Sequence, residues 1–148
     1  MSQPAMTDEA LNRVKILQQE IEQLQGNLGA IEQQIGLISQ VLSSLNDAII
    51  TQEELKNKKP GDDILVPIGG SNYILCTIKD PNNTFISIGS GISLHTELLN
   101  SEKRNKAQIE NLGQNVNQLQ EQYSQFNQML DSRRQELLQI AQQYQILG

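Results

Sequence analysis

Apolar residues recur along the first part of the chain at spacings that alternate between three and four. They are Val14, Leu17, Ile21, Leu24, Leu28, Ile31, Ile35, Ile38, Leu42, Leu45 and Ile49. A 3.5-residue repeat keeps one narrow stripe of a helix turned toward a partner helix. A helix that covers a globular core shows a wider stripe. The last part of the chain repeats the pattern through Ile109, Leu112, Val116, Leu119, Tyr123, Phe126, Leu130, Leu137, Ile140, Tyr144 and Leu147, with Arg133 at the one seam position that is not apolar. Two seams of matched length joined by a mid-chain connection predict a long antiparallel two-helix coiled coil. A helix of roughly 45 residues is about 65–70 Å long.

The pattern also suggests a register. Pairing Val14 with Leu147, Leu28 with Arg133 and Ile49 with Leu112 makes both seams turn polar together: Gln52 and Lys56 on one side, Glu102 and Asn105 on the other. Lys59 then lies near Glu102. The same seams also accept a pairing displaced by one heptad, in which Val14 faces Ile140. Gly26, Gly29, Gly36 and Gly113 fall off the seam. They are either tolerated on the surface or soften the helix, since each lowers helix propensity by about 1 kcal/mol relative to Ala.

Between the seams the period changes from helical to two. The first helix is expected to end near Lys58 or Lys59, before Pro60-Gly61. Short alternating runs follow at Ile64–Ile68, Tyr73–Lys79, Thr84–Ile88 and Ile92–Thr96, separated by Gly69-Gly70-Ser71-Asn72, Asp80-Pro81-Asn82-Asn83 and Gly89-Ser90-Gly91. These are strand and turn chemistry, and they predict two β-hairpins in series. Ile64, Val66 and Ile68 are expected on one face, as are Ile86 with Ile88 and Ile92 with Leu94, while Ser87 and Ser93 point the other way. Pro67 suits an edge or a bulge. The chain thus divides into residues 1–59, 60–96 and 97–148: helix, hairpins, helix. A lone hairpin is marginal in water and its open edges invite pairing. The hairpins are therefore expected to complete a sheet or barrel shared by several subunits.

Composition narrows the function. The net charge of −6 argues against nucleic acid as a partner, because such binding needs a positive footprint. Lys56, Lys58 and Lys59 sit beside Glu53, Glu54, Asp62 and Asp63 and suit a helix C-terminus. No apolar run approaches membrane-spanning length, so no membrane partner is expected. Cys76 is the only cysteine, and the N-terminus lacks the features of a secretory leader, so a reducing, cytoplasmic setting is expected. His95 is the only histidine, which makes a zinc-type site improbable. A Cys76–His95 dyad would have to arise within strand sequence, where structural roles are the rule. The glycine pairs lack the context of a phosphate loop. Neither an enzyme constellation nor a cofactor is expected.

The stretches Leu65-Val66-Pro67-Ile68-Gly69, the strand from Tyr73, and Phe85-Ile86-Ser87-Ile88-Gly89-Ser90-Gly91-Ile92 resemble the "LVPVG" and "VGxGV" hairpin signatures of the prefoldin family. With the flanking heptads, the resemblance covers nearly the whole chain. Two hairpins rather than one resemble the family's α class. The resemblance implies a hexamer of two α and four β-class subunits, a β-barrel body formed by the hairpins, ATP-independent capture of non-native proteins, and delivery to a group II chaperonin. Ile64, Val66, Ile68, Tyr73, Leu75, Ile86, Ile88, Ile92 and Leu94 are the candidate assembly residues.

Apolar side chains also leave the seam near the chain ends: Leu11 and Ile16 at one, Leu138 and Ile146 at the other, beside Tyr144 and Leu147. Clustered, they form either a patch able to hold the exposed hydrophobic segments of another chain or extra packing at the helix ends. Leu17 and Ile140 join such a site if the seam opens. A filament-forming structural relative and a simple coiled-coil tether are the other readings of the same layout.

Overall fold

The computed structural model describes residues 5–144. It holds a helix α1 (Asp8–Leu55), strands β1 (Asp63–Gly69), β2 (Asn72–Thr77), β3 (Asn83–Gly89) and β4 (Ile92–Glu97), and a helix α2 (Leu98–Gln143). These residues form two compact units. One contains the chain up to Ile38 and from Gln114; the other is Ser39–Gly113.

The start of α1 follows from local chemistry. Thr7 caps it, its Oγ1 accepting from the Ala10 amide at 3.1 Å, and Asp8 and Glu9 place negative charge against the positive end of the helix dipole. In the first unit the seam is as the heptads predict. Leu17, Leu24, Leu28, Ile31 and Leu130 are buried. Leu24, Leu28 and Leu130 form its core, with Ile21, Tyr123 and Phe126 packed against them. Hydrogen bonds join Arg13 to Glu136, Glu20 to Arg133 and Glu32 to Tyr123. As the α1 number rises the α2 number falls, so the two segments run antiparallel here.

These contacts correct the expected register. Arg133 reaches Glu20 rather than lying opposite Leu28, and its Nε donates to Glu20 Oε2 at 2.6 Å. The pairing is displaced by one heptad from the one in which Val14 meets Leu147. It is the alternative pairing that puts Val14 opposite Ile140. Arg133 is accommodated in the seam because its charged group reaches a carboxylate at the seam's border.

In the second unit α1 ends at Leu55, earlier than Lys58. The Asn57 and Lys58 amides donate to the carbonyls of Glu54 and Leu55, three residues back, which tightens the last turn. The Lys59 amide donates to Asp62 Oδ2 at 2.7 Å, and Gly61 takes a φ of 93°. Reciprocal bonds between Gly61 N and Ile78 O and between Ile78 N and Asp62 O close the first hairpin's base. The α2 N-terminus is capped from a distance: Asn82 Oδ1 accepts from the Leu98 amide at 3.1 Å.

The strands form two separate two-stranded antiparallel sheets, β1–β2 and β3–β4. Leu65 pairs with Leu75 and Pro67 with Tyr73; Phe85 pairs with His95 and Ser87 with Ser93. The hairpins are near copies. Each has a register shift next to its turn, after Pro67 in one and after Ser87 in the other. Each turn takes positive φ throughout, at Gly69, Gly70 and Ser71 and at Gly89, Ser90 and Gly91. Two central residues at positive φ match the right-handed strand twist. Ile78 and Leu98, buried at the end of each repeat, occupy equivalent places.

Candidate functional site

Strand pairing sorts the hairpin side chains onto faces. On the first hairpin Ile64, Val66, Ile74 and Cys76 share one face, and Leu65, Pro67, Tyr73 and Leu75 share the other. Ile64, Val66 and Cys76 are half-buried, whereas Leu65, Tyr73 and Leu75 are exposed. Leu65 keeps 65% of its surface open to solvent. The first hairpin is therefore apolar on both faces, not on one as the alternation suggests. On the second, Thr84, Ile86, Leu94 and Thr96 share one face and Phe85, Ser87, Ser93 and His95 the other. Phe85 is 66% exposed and meets the His95 ring edge-on with centroids 5.5 Å apart.

The expected assembly residues thus fall into two groups. Ile64, Val66 and Ile86 are half-buried within the chain, while Ile68, Tyr73, Leu75, Ile88, Ile92 and Leu94 are exposed. Ile68 and Ile88 leave the faces of Ile64, Val66 and Ile86 because the shift at the turn removes them from the paired register. The alternation argument missed exposed Leu65, Ile74 and Phe85. Reading both faces of each run for apolar residues would have found them.

The first unit carries the other candidate site. Leu11, Ile16 and Leu138 are exposed, and Ile140 and Tyr144 half-buried. Leu17 is fully buried, so a ligand reaches it only if the seam opens. Ile146 and Leu147 lie outside the described residues. Arg13 and Glu136 form a two-pronged ion pair at 2.7 and 2.8 Å in this unit. The Arg13 guanidinium holds the Glu136 carboxyl below its usual range, chiefly by hydrogen bonding.

A polar layer crosses the helices of the second unit. Gln52 is buried; its amide donates to Ser101 Oγ at 2.8 Å and its carbonyl accepts from Asn105 at 3.3 Å. Glu102 is 3% exposed. Lys106 Nζ lies 2.5 Å from its Oε1. Lys56 Nζ lies 2.6 Å from its Oε2, a charge contact off the hydrogen-bond direction. These two ammonium groups, Lys106 first, pull the Glu102 carboxyl down to about 2. Lys59 does not contribute, its amide being tied to Asp62 beyond the helix end.

Among the described residues no group of His, Cys, Asp and Glu is placed to hold a metal ion. No helix of these residues is long and apolar enough to cross a membrane.

Seamed helix segments and two strand hairpins with apolar faces left open define a subunit built to assemble rather than a self-sufficient domain. The family model described as prefoldin subunit matches residues 17–146, and the chain belongs to the prefoldin family. Prefoldin subunit alpha of Methanococcoides burtonii is 31% identical over 113 residues, covering 74% of this chain and 80% of that protein. The alpha subunit of Methanosarcina acetivorans is 27% identical over 103 residues, covering 65% and 72%. Among solved structures, filamentous PFD from Methanocaldococcus jannaschii, seen by cryo-electron microscopy, matches with a TM-score of 0.66 at 18% identity, covering 77% of this chain and 94% of that one. The chain is thus an α-class prefoldin subunit. Membership carries a chaperone role, and prefoldin alpha subunits form oligomers with other prefoldin subunits.

Proposed function

We propose that this chain assembles with β-class subunits into a hexamer of two α and four β, and that the complex captures non-native polypeptides without ATP and passes them to a group II chaperonin in the cytoplasm. The observation that carries the reading is the pair of two-stranded sheets whose outward apolar residues and open edges have no cover among the described residues. Exposed Leu65, Tyr73, Leu75 and Phe85 supply the buried surface of a shared body once neighbouring strands add to the edges. Ile64, Val66, Ile68, Ile86, Ile88, Ile92 and Leu94 complete that surface.

Client capture falls to Leu11, Ile16 and Leu138, which offer reversible apolar contact. Leu17, Ile140 and Tyr144 join when the seam opens, and Ile146 and Leu147 belong to the same proposed site. Several subunits holding one client gain avidity through effective concentration. Release needs no nucleotide and follows from competition by the chaperonin.

Native mass measurement of the chain alone and with a β-class partner tests assembly. A defined two-to-four complex is expected; open-ended polymers of the chain alone would overturn the hexamer. Aggregation of an unfolded protein, followed without ATP, tests capture. The triple change Leu11→Ser, Ile16→Ser and Leu138→Ser should weaken suppression while the complex keeps its mass. Full suppression by that variant would leave the chain a tether rather than a holder.

A further inference from the structure

We propose that the polar layer made by Gln52, Lys56, Ser101, Glu102, Asn105 and Lys106 fixes the register of the paired helix segments in the unit Ser39–Gly113. The aliphatic seam there has little power to do so. Leu42, Leu45 and Ile49 on α1 and Ile109 and Leu112 on α2 are all half-buried and similar in volume. Sliding one segment past the other by a heptad replaces one aliphatic contact with another.

The polar layer breaks this degeneracy in both directions. The slide that pairs Ile49 with Leu112 brings Gln52 opposite Ile109 and removes it from Ser101 and Asn105, its partners at 2.8 and 3.3 Å. The same slide sets Glu102 opposite the segment after Leu55, where α1 has ended. Lys59 could reach it only on an added helical turn. That turn is blocked because the Lys59 amide is held by Asp62 and the residue before Pro60 disfavours helix. The opposite slide pairs Glu102 with Leu45 and sets a buried carboxylate against an aliphatic layer without Lys56, its partner from the facing segment, leaving it only Lys106 of its own helix. Buried polar groups tolerate neither outcome. Only the observed pairing gives both Gln52 and Glu102 polar partners from the facing segment. A polar pair at one seam layer is an established way for helices to trade stability for a single register.

Oxidative cross-linking of the full chain in a Cys76→Ser background reads the register directly. Leu42→Cys with Leu112→Cys reports the observed pairing, and Ile49→Cys with Leu112→Cys reports the slid one. With the layer intact the first pair should link and the second should link on the order of tenfold less, matching the penalty for a buried unpaired polar group. Gln52→Leu with Glu102→Leu makes the layer aliphatic, a change helices of this kind tolerate. The Ile49–Leu112 product should then rise toward the yield of the Leu42–Leu112 product at unchanged helical content. Glu102→Gln keeps a polar group in place and should keep the single product. If the doubly aliphatic chain does not fold, Gln52→Leu alone carries the test with a smaller rise in the slid product. A folded aliphatic variant that still links only through Leu42 and Leu112 would show that the register is set elsewhere and would overturn the proposal.

Discussion

Leu17→Ala separates the seam's structural role from client capture. Leu17 is 0% exposed and is the largest fully buried side chain among the described residues. Truncation to Ala removes three carbon groups from a dry site. At about 0.8 kcal/mol each the transfer loss alone is about 2.4 kcal/mol, and the cavity left behind raises measured Leu→Ala costs into a range of about 2–5 kcal/mol. A seam between two helices has few layers of neighbours, so part of the cavity closes, and we expect a loss of about 3 kcal/mol. For a chain of this size that lowers the melting temperature by about 6–12 °C. Leu138→Ala is the control. Its side chain is 47% exposed, so the loss should stay below about 1 kcal/mol. Thermal unfolding followed by helical circular dichroism compares the two. Below the melting transition Leu17→Ala should lose less of its suppression of aggregation than the Leu11→Ser, Ile16→Ser and Leu138→Ser variant, because buried Leu17 meets a client only when the seam opens. Melting within about 2 °C of the parent, well under the expected shift, or a loss equal to that of Leu138→Ala, would refute the burial argument. A loss of suppression as large as that variant's, with helix content intact, would instead make the seam residues the main contact with the client.

Acid should weaken the second unit through Glu102. Its carboxyl is lowered from 4.5 to about 2 by Lys106 and Lys56, so the stability it supplies is present above pH 4.5 and is lost as the pH falls toward 2. The gap in unfolding midpoint between parent and Glu102→Gln should shrink across that window; a constant gap would contradict the charge pairing. Gly70→Ala should destabilise by about 1–2 kcal/mol, because a side chain is forced into the left-handed region, where Gly70 has a φ of 56° and its added Cβ would lie 3.3 Å from Asn72 Nδ2; thermal melting of the assembled complex reads the loss. Leu65→Ser with Leu75→Ser should abolish assembly by native mass while leaving helical circular dichroism unchanged, and an intact complex would show that this face stays in water.

The helices and the hairpins were legible because each rests on a local period, whereas the end of α1 fell at Leu55 and not at Lys58 or Lys59. The seam residues repeat at three and four, and the described ones are all buried or half-buried. The strand runs end at glycines that take positive φ. Alternation failed at Ile68 and Ile88 because the extra residue beside each turn breaks the period that the argument depends on. It also hid the duplication, although Ile68-Gly69 and Ile88-Gly89 stand at the same point of each hairpin. The exposed leucines of the first unit could be located but not assigned, since a single exposed apolar side chain is ordinary on any surface. Register was the one global property that the period could not supply. An aliphatic heptad is satisfied by any slide of seven residues, so register had to come from the polar positions. There the expectation failed for one reason. Continuing α1 to Lys59 lets Lys59 stand beside Glu102, an arrangement that belongs to the pairing displaced by one heptad. The chain instead turns after Leu55, Glu102 takes Lys56, and the slide disappears. Within the unit Ser39–Gly113 the helix end and the proposed register agree: with α1 ended at Leu55 and the Lys59 amide held by Asp62, Glu102 has Lys56 rather than Lys59 as its partner.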